Sequence, residues 1–224
     1  MTYQAATFEL RSPDRVARWR PLVAWLLAFP HYLVLYGLGI VSGAVAVISW
    51  FAIVFTGKLP AGLAGLQVLY VRYQERATLY AAFLYEEYPP FAFPTDPVDP
   101  GDTRVTVSYR PEFEDRNRLT VFFRIILGIP LVIWVMLVWL VASFVIFLAF
   151  FAVIILGRWP QWMRDFVVKA TRLSVQYNAY LLLLTDTYPP FGFTPDGSPT
   201  ATPPPPPPPP SSPSDVPPPP PPTS

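Results

Sequence analysis

PLVAWLLAFPHYLVLYGLGIVSGAVAVISWFAIVF, residues 21–55, contains no Asp, Glu, Lys or Arg, and a second run from Val121 to Leu156 contains only Arg124, near its start. Uncharged apolar stretches of this length read as transmembrane segments. The whole chain agrees with them. Over its 224 residues, 52% are hydrophobic and only 14% charged, where soluble domains carry about a quarter charged residues. That excess of apolar surface needs a bilayer. The net charge of +1 gives no reason to expect nucleic acid. With no cysteine there is no disulfide, thiolate nucleophile or cysteine metal site. Arg11, Arg15, Arg18 and Arg20, with Glu9 and Asp14, precede a run far longer than a signal-peptide core, so the run is expected to be an uncleaved anchor.

At about 36 residues each, the runs would reach roughly 54 Å as straight helices, nearly twice the roughly 30 Å of hydrocarbon. Pro30 and Pro130 lie inside them, and an internal proline removes a backbone hydrogen bond and kinks a helix. Two layouts follow. Each run is a tight hairpin of two short helices, or a short interfacial helix ending at the proline followed by one long crossing helix. Arg and Lys cluster on both sides of both runs, at 11–20, 58–76, 104–118 and 158–172, which favours the hairpin, since it keeps every cluster in the cytoplasm. Against it, Val135 to Val145 offers no polar turn, although Gly37, Gly39 and Gly43 could supply one in the first run.

Residues 18–93 repeat as 118–193 without a gap. Arg18 matches Arg118, Pro30 matches Pro130, Gly57 matches Gly157, Pro60 matches Pro160, Arg72 matches Arg172 and Tyr80 matches Tyr180. The best match is Tyr88-Pro89-Pro90-Phe91 with Tyr188-Pro189-Pro190-Phe191. Apolar bias would align hydrophobic stretches but would not hold Pro, Gly and Arg in one register, so the chain is a tandem duplication.

Each copy has the same parts. Thr103, Val105, Val107 and Tyr109 alternate with Arg104, Thr106, Ser108 and Arg110 as a short amphipathic strand, echoed weakly by Phe8 and Leu10. The apolar run follows, closed by Gly57-Lys58-Leu59-Pro60 or Gly157-Arg158-Trp159-Pro160, where Gly ends one helix and Pro starts the next. The third part is an amphipathic helix. Its apolar positions in the second copy are Phe166, Ala170, Leu173, Tyr177, Tyr180 and Leu184, beside a polar stripe of Asp165, Lys169, Arg172 and Gln176. Sinking Lys169 and Arg172 to mid-bilayer costs roughly 5 to 7 kcal/mol, about what a dozen apolar residues return. A helix lying at the cytoplasmic interface is cheaper.

The fold class expected is therefore an all-α integral membrane protein of two tandem repeats. Each holds a short amphipathic strand, a Pro-kinked transmembrane helix or helical hairpin, and an amphipathic interfacial helix. Repeat 1 is 1–98, with its transmembrane part about 21–56 and its amphipathic helix about 61–86. Repeat 2 is 99–194, with the corresponding parts about 121–156 and 161–186. A disordered polyproline tail occupies 195–224, with unbroken proline at 203–210 and 217–222.

Trp25-Leu26-Leu27-Ala28-Phe29-Pro30-His31-Tyr32, Phe55-Thr56-Gly57-Lys58-Leu59-Pro60 and Leu181-Leu182-Leu183-Leu184-Thr185-Asp186-Thr187-Tyr188-Pro189-Pro190-Phe191 together resemble the bacterial membrane family called domain of unknown function 4389. The resemblance covers nearly everything but the tail. The second copy departs from it with Leu131 in place of His31, and the first with Glu86-Glu87 before its YPPF. It implies a bacterial cell-membrane protein and no established activity. Some relatives carry a lipase label, but a serine lipase needs a nucleophile on G-x-S-x-G, a histidine and an acid. Gly39-Ile40-Val41-Ser42-Gly43 has the wrong spacing, and His31 is the chain's single histidine.

No catalytic, metal or cofactor-binding residue is assigned, and no cofactor is expected. His31 beside Pro30 reads as a partner for a carbonyl freed by the kink or as a ring at the headgroup level. Candidate structural or lipid-contact residues are Arg72, Arg172, Glu86, Asp186, Tyr88, Tyr188, Pro30 and Pro130. Arg72 and Arg172 read as solvated or phosphate-touching; the sharper expectation pairs Arg72 with Asp186 and Arg172 with Glu86 across a pseudo-two-fold axis. YPPF stops a helix, and Phe91 or Phe191 can tuck back on the bundle. The partners expected are the lipid bilayer, with room for a protein partner at the Pro-rich tail and for a homo-oligomer. Localisation is the cell membrane, multi-pass, with the tail cytoplasmic. Three functions remain: a non-enzymatic scaffold or interaction protein, an accessory subunit of a transporter or channel, and a lipid-acting membrane enzyme, disfavoured for want of a catalytic constellation.

Overall fold

The computed structural model describes residues 5–101 and 103–193; the polyproline tail lies outside them. In chain order the elements are β1 (Ala6–Leu10), α1 (Arg20–Thr56), α2 (Ala61–Ala81), β2 (Val105–Tyr109), α3 (Arg118–Phe122), α4 (Arg124–Leu156) and α5 (Gln161–Leu181). The strand expected from alternation is present: Val105, Val107 and Tyr109 are buried while Thr106 and Ser108 are half-buried on the opposite face. It pairs antiparallel with β1 in the register Ala6↔Tyr109, Phe8↔Val107, Leu10↔Val105. Exchanging each residue with its counterpart one hundred positions away maps this ladder onto itself, so the pseudo-two-fold axis runs through the ribbon's centre. Two loop bonds obey the same exchange. Val16 N–H donates to the Gly157 carbonyl at 3.2 Å, and Arg116 N–H donates to the Gly57 carbonyl at 3.1 Å.

Each apolar run differs from the hairpin expectation: α1 is one continuous helix of 37 residues with Pro30 inside it, and α4 one of 33 with Pro130 inside. A proline removes only one backbone bond. A hairpin would strip partners from a whole turn of carbonyls in an apolar stretch, which costs far more. Gly57 (φ 75°) and Gly157 (φ 67°) terminate the helices in the left-handed conformation, and Pro60 and Pro160 cap α2 and α5. In the second copy Asn117 starts α3 by accepting the Thr120 N–H at 3.1 Å.

One stripe of each long helix is buried. In α1 it runs through Ala28, His31, Ser42, Val45, Ser49 and Ile53; in α4 it runs through Gly128, Leu131, Ala142, Val145, Ala149 and Val153, the same positions one hundred residues on. The three- and four-residue steps are those of a packed helix seam. Against these stripes lie α2 and α5, and on their other side lies the ribbon. The layers are ribbon, inner helices, long helices. The outer faces of the long helices stay apolar and exposed, as at Trp25, Phe29, Ile125 and Leu140. The two inner helices differ. In α5, Asp165 and Lys169 are exposed as the polar stripe predicts, but α2 is buried on nearly every side, including Gln67, Arg72, Glu75 and Arg76.

Candidate functional site

Three polar clusters carry the chemistry of the interior, and the first lies between α2 and the ribbon. Arg72 and Arg76, one turn apart on α2, converge on Asp99 in the loop before β2: Arg72 Nε and Arg76 Nη2 each lie 3.0 Å from Asp99 Oδ2. The carboxylate also accepts the Gly101 and Val107 N–H groups at 3.0 and 3.1 Å. The same Arg72 Nε–H donates to the Val107 carbonyl at 3.0 Å, and the two Nη groups reach the loop carbonyls of Pro94 at 3.2 Å and Asp96 at 2.8 Å. All three side chains are buried. Arginine suits this place because its planar fork feeds several fixed acceptors at once. The solvated arginine expected from the sequence is thus replaced by a buried ion triad. Arg72 does not meet Asp186.

Next to the triad, Glu75 is fully buried, and neither carboxylate oxygen makes a well-formed hydrogen bond. Burial pushes its pKa up to about 8, against a small opposing pull from Ser174 on α5. Glu75 therefore folds as a neutral acid. The sequence carried a signal for it. Ala64, Val68, Val71, Glu75 and Leu79 recur every three or four residues, and all are buried, so Glu75 occupies an apolar stripe.

The second cluster surrounds Asp186. Its Oδ1 accepts from Arg116 and Arg124, both at 2.6 Å, and its Oδ2 accepts the Asn117 N–H at 2.9 Å. Burial works against the ionised form, but these donors and the two guanidinium charges outweigh it and hold Asp186 below the usual carboxylate range. Glu86 takes the equivalent bond in the first copy, accepting the Ala17 N–H at 2.6 Å, while its own carbonyl accepts from Arg20 at 2.8 Å. So Glu86 and Asp186 each brace their own repeat, and neither pairs with Arg172 or Arg72. Arg20 lies 4.4 Å from the Tyr80 ring centroid and Arg124 lies 4.3 Å from that of Tyr180.

The third cluster is a polar seam between α1 and α2. His31 Nδ1 and the Tyr73 hydroxyl are 2.7 Å apart, and the His31 ring is enclosed by Tyr88 and Phe91 at centroid distances of 4.7 and 4.6 Å. Burial pushes the Tyr73 hydroxyl up to about 12, with Tyr88 adding to the effect. Tyr88 and Phe91 thus fold YPPF back on the bundle; in the second copy Tyr188 packs on Tyr180 at 5.0 Å. The Ser42 hydroxyl donates to the Gln67 amide oxygen, and the Gln67 amide nitrogen returns a bond to the Ser42 carbonyl at 2.9 Å. Ser42 and His31 are engaged with different partners and not with each other. Among the described residues no three of His, Asp and Glu come together as a metal site would need.

Residues 18–92 and 118–192 both match the family described as Domain of unknown function (DUF4389), and the chain belongs to it as two tandem copies. No curated protein and no solved structure matches the chain.

Proposed function

We propose that the chain is a non-enzymatic membrane scaffold embedded in one face of the cell membrane, with α1 and α4 bent at Pro30 and Pro130 and sunk among lipid. The observation that carries this reading is the fate of the apolar surface. In their most apolar windows the two long helices bury only 22% and 28% of residues inside the protein, whereas a soluble protein's core helix is mostly buried. An apolar band of that extent belongs in lipid.

The pseudo-two-fold supports insertion from a single face. The axis passes through the ribbon, whose outer side and ends carry Glu9, Arg11, Arg104 and Arg110, so the ribbon belongs in water. An axis in the membrane plane would put those charges at mid-depth, at several kcal/mol each. With the axis along the membrane normal, the Val16–Gly157 and Arg116–Gly57 bonds, which join the end of each long helix to the start of the other repeat, set all four helix ends at one depth on the ribbon's side, with each helix still continuous. The buried polar groups favour a holding role: the arginines of the triad and the Asp186 node are spent on internal bonds that fix the inner layer.

A second reading, an accessory subunit of a transporter, draws on the His31–Tyr73 and Ser42–Gln67 pairs, since polar groups against a membrane helix are costly and often mark pathways. Extraction of native membranes with alkaline carbonate tests the first reading. The chain stays in the membrane pellet; release into the supernatant would refute embedding. In the same preparation the wild-type chain hydrolyses no lipid ester; turnover abolished by Ser42→Ala would restore the enzyme reading.

A further inference from the structure

The two-fold relates two corners where the end of one long helix meets the start of the other repeat, and their charges differ. At the Gly57 corner the charges are matched: Lys58 pairs with Glu114 at 3.0 Å, and Arg116 and Arg124 pair with Asp186. At the Gly157 corner an isolated antiparallel bridge sets Arg15 directly opposite Arg158, a like-charge juxtaposition that destabilises on its own. Arg18 lies alongside, close enough that a Cβ on Gly157 would stand 3.3 Å from its Nε. Position 15 in the second copy is Asp115, an inversion of sign. The acids at the arginine corner are committed elsewhere. Asp14 pairs with Arg164 at 3.3 Å, and Glu86 faces the Ala17 N–H. Arg15, Arg18 and Arg158 therefore have no acidic partner among the described residues, and the α4 C-terminus offsets only about half a charge.

These arginines line a cavity of about 530 Å³ with Val16, Leu156 and Gly157. It sits where the apolar band ends, beside exposed Ile155 and Leu156 on α4, Leu22 on α1 and Trp19 at the α1 N-cap. Tryptophan is enriched at this depth of a bilayer, and phosphates lie there. We propose that the Arg15–Arg18–Arg158 corner binds the phosphate of an anionic phospholipid, which relieves the arginine juxtaposition and seats one end of the molecule against the headgroups. This assignment rests on the membrane reading and goes beyond it in naming a ligand, a site and an asymmetry between the two corners.

The full chain is reconstituted in phosphatidylcholine nanodiscs and in nanodiscs containing phosphatidylglycerol, and retained lipid is counted by native mass spectrometry. Incorporation into the phosphatidylcholine discs checks the membrane reading separately. The expected result is a phosphatidylglycerol preference that falls about tenfold in Arg15→Gln/Arg158→Gln, survives in Arg15→Lys/Arg158→Lys, and is unchanged in Lys58→Gln/Arg118→Gln at the matched corner. An unaltered preference in the glutamine variant, or an equal loss in the control, overturns the assignment. Displacement of the lipid by millimolar inorganic phosphate would reassign the corner to a free anion and overturn the lipid claim.

Discussion

The two repeats use one backbone and two interiors. Where the first copy joins α1 to α2 through His31 with Tyr73 and Ser42 with Gln67, the second has Leu131, Leu173, Ala142 and Val167, all buried. Where α2 carries Glu75, α5 carries Val175, also buried. Even volume is traded: Ala28 and Ala81 become Gly128 and Leu181, and a Cβ on Gly128 would come within 2.7 Å of Leu181. Arg20 and Arg124 start from positions one turn apart in the repeat and still reach the matching tyrosines, Tyr80 and Tyr180. The fold is thus set by the seam's spacing and the cap glycines, which the copies share, and not by whether the seam is polar. Along this helix seam the second copy holds by packing, while the first adds buried hydrogen bonds and an acid, which are costly if half-satisfied.

The largest test of that difference is pH. Glu75 has a folded pKa raised to about 8 from 4.5, so the unfolded chain gives up its proton at lower pH than the folded chain. Its contribution is fully present below about pH 4.5 and is lost as pH rises toward 8, by on the order of 5 kcal/mol at most. Thermal unfolding of the detergent-solubilised chain should weaken over that interval, and Glu75→Val, the residue of the second copy, should flatten the dependence.

Asp99→Ala strips the shared partner from two buried arginines and should cost about 3–5 kcal/mol. Arg172→Ala, on the half-exposed face of α5, should cost less in the same unfolding assay. Equal losses would mean that the buried triad of Arg72, Arg76 and Asp99 gives α2 no more support than Arg172 gives α5. Transplanting the second copy's seam is subtler. Ser42→Ala alone leaves the buried Gln67 amide oxygen short of a donor and should cost about 1–3 kcal/mol, while Ser42→Ala together with Gln67→Val should recover most of that loss. Smallest of all, Lys58→Gln breaks an exposed pair and should shift stability by about 0.5 kcal/mol or less.

Much of this was legible in the sequence. The hundred-residue register, the Gly and Pro boundaries and the alternation at Val105 to Tyr109 follow from local rules, and the structure keeps them. What the sequence hid was non-local. Prolines inside apolar runs suggested a break, but each removes only one backbone bond and the helix continues through it. Arg72 was read as a surface arginine because the ribbon that covers it is assembled from two strands about a hundred residues apart. Asp99 sits in the linker 94–101, whose Pro, Asp and Gly residues mark it only as a loop, and nothing local announced that it would close over α2. Glu75 alone left a trace, as an acid in an apolar stripe.

In the proposed arrangement both ends of both long helices lie at one face of the membrane. The chain has no cysteine, so single cysteines at Lys58 and Arg158 report the two corners without background. In intact cells both should resist a membrane-impermeant thiol reagent, and both should react after permeabilisation. Labelling of one site from outside while the other stays shielded would place the corners on opposite faces and contradict it.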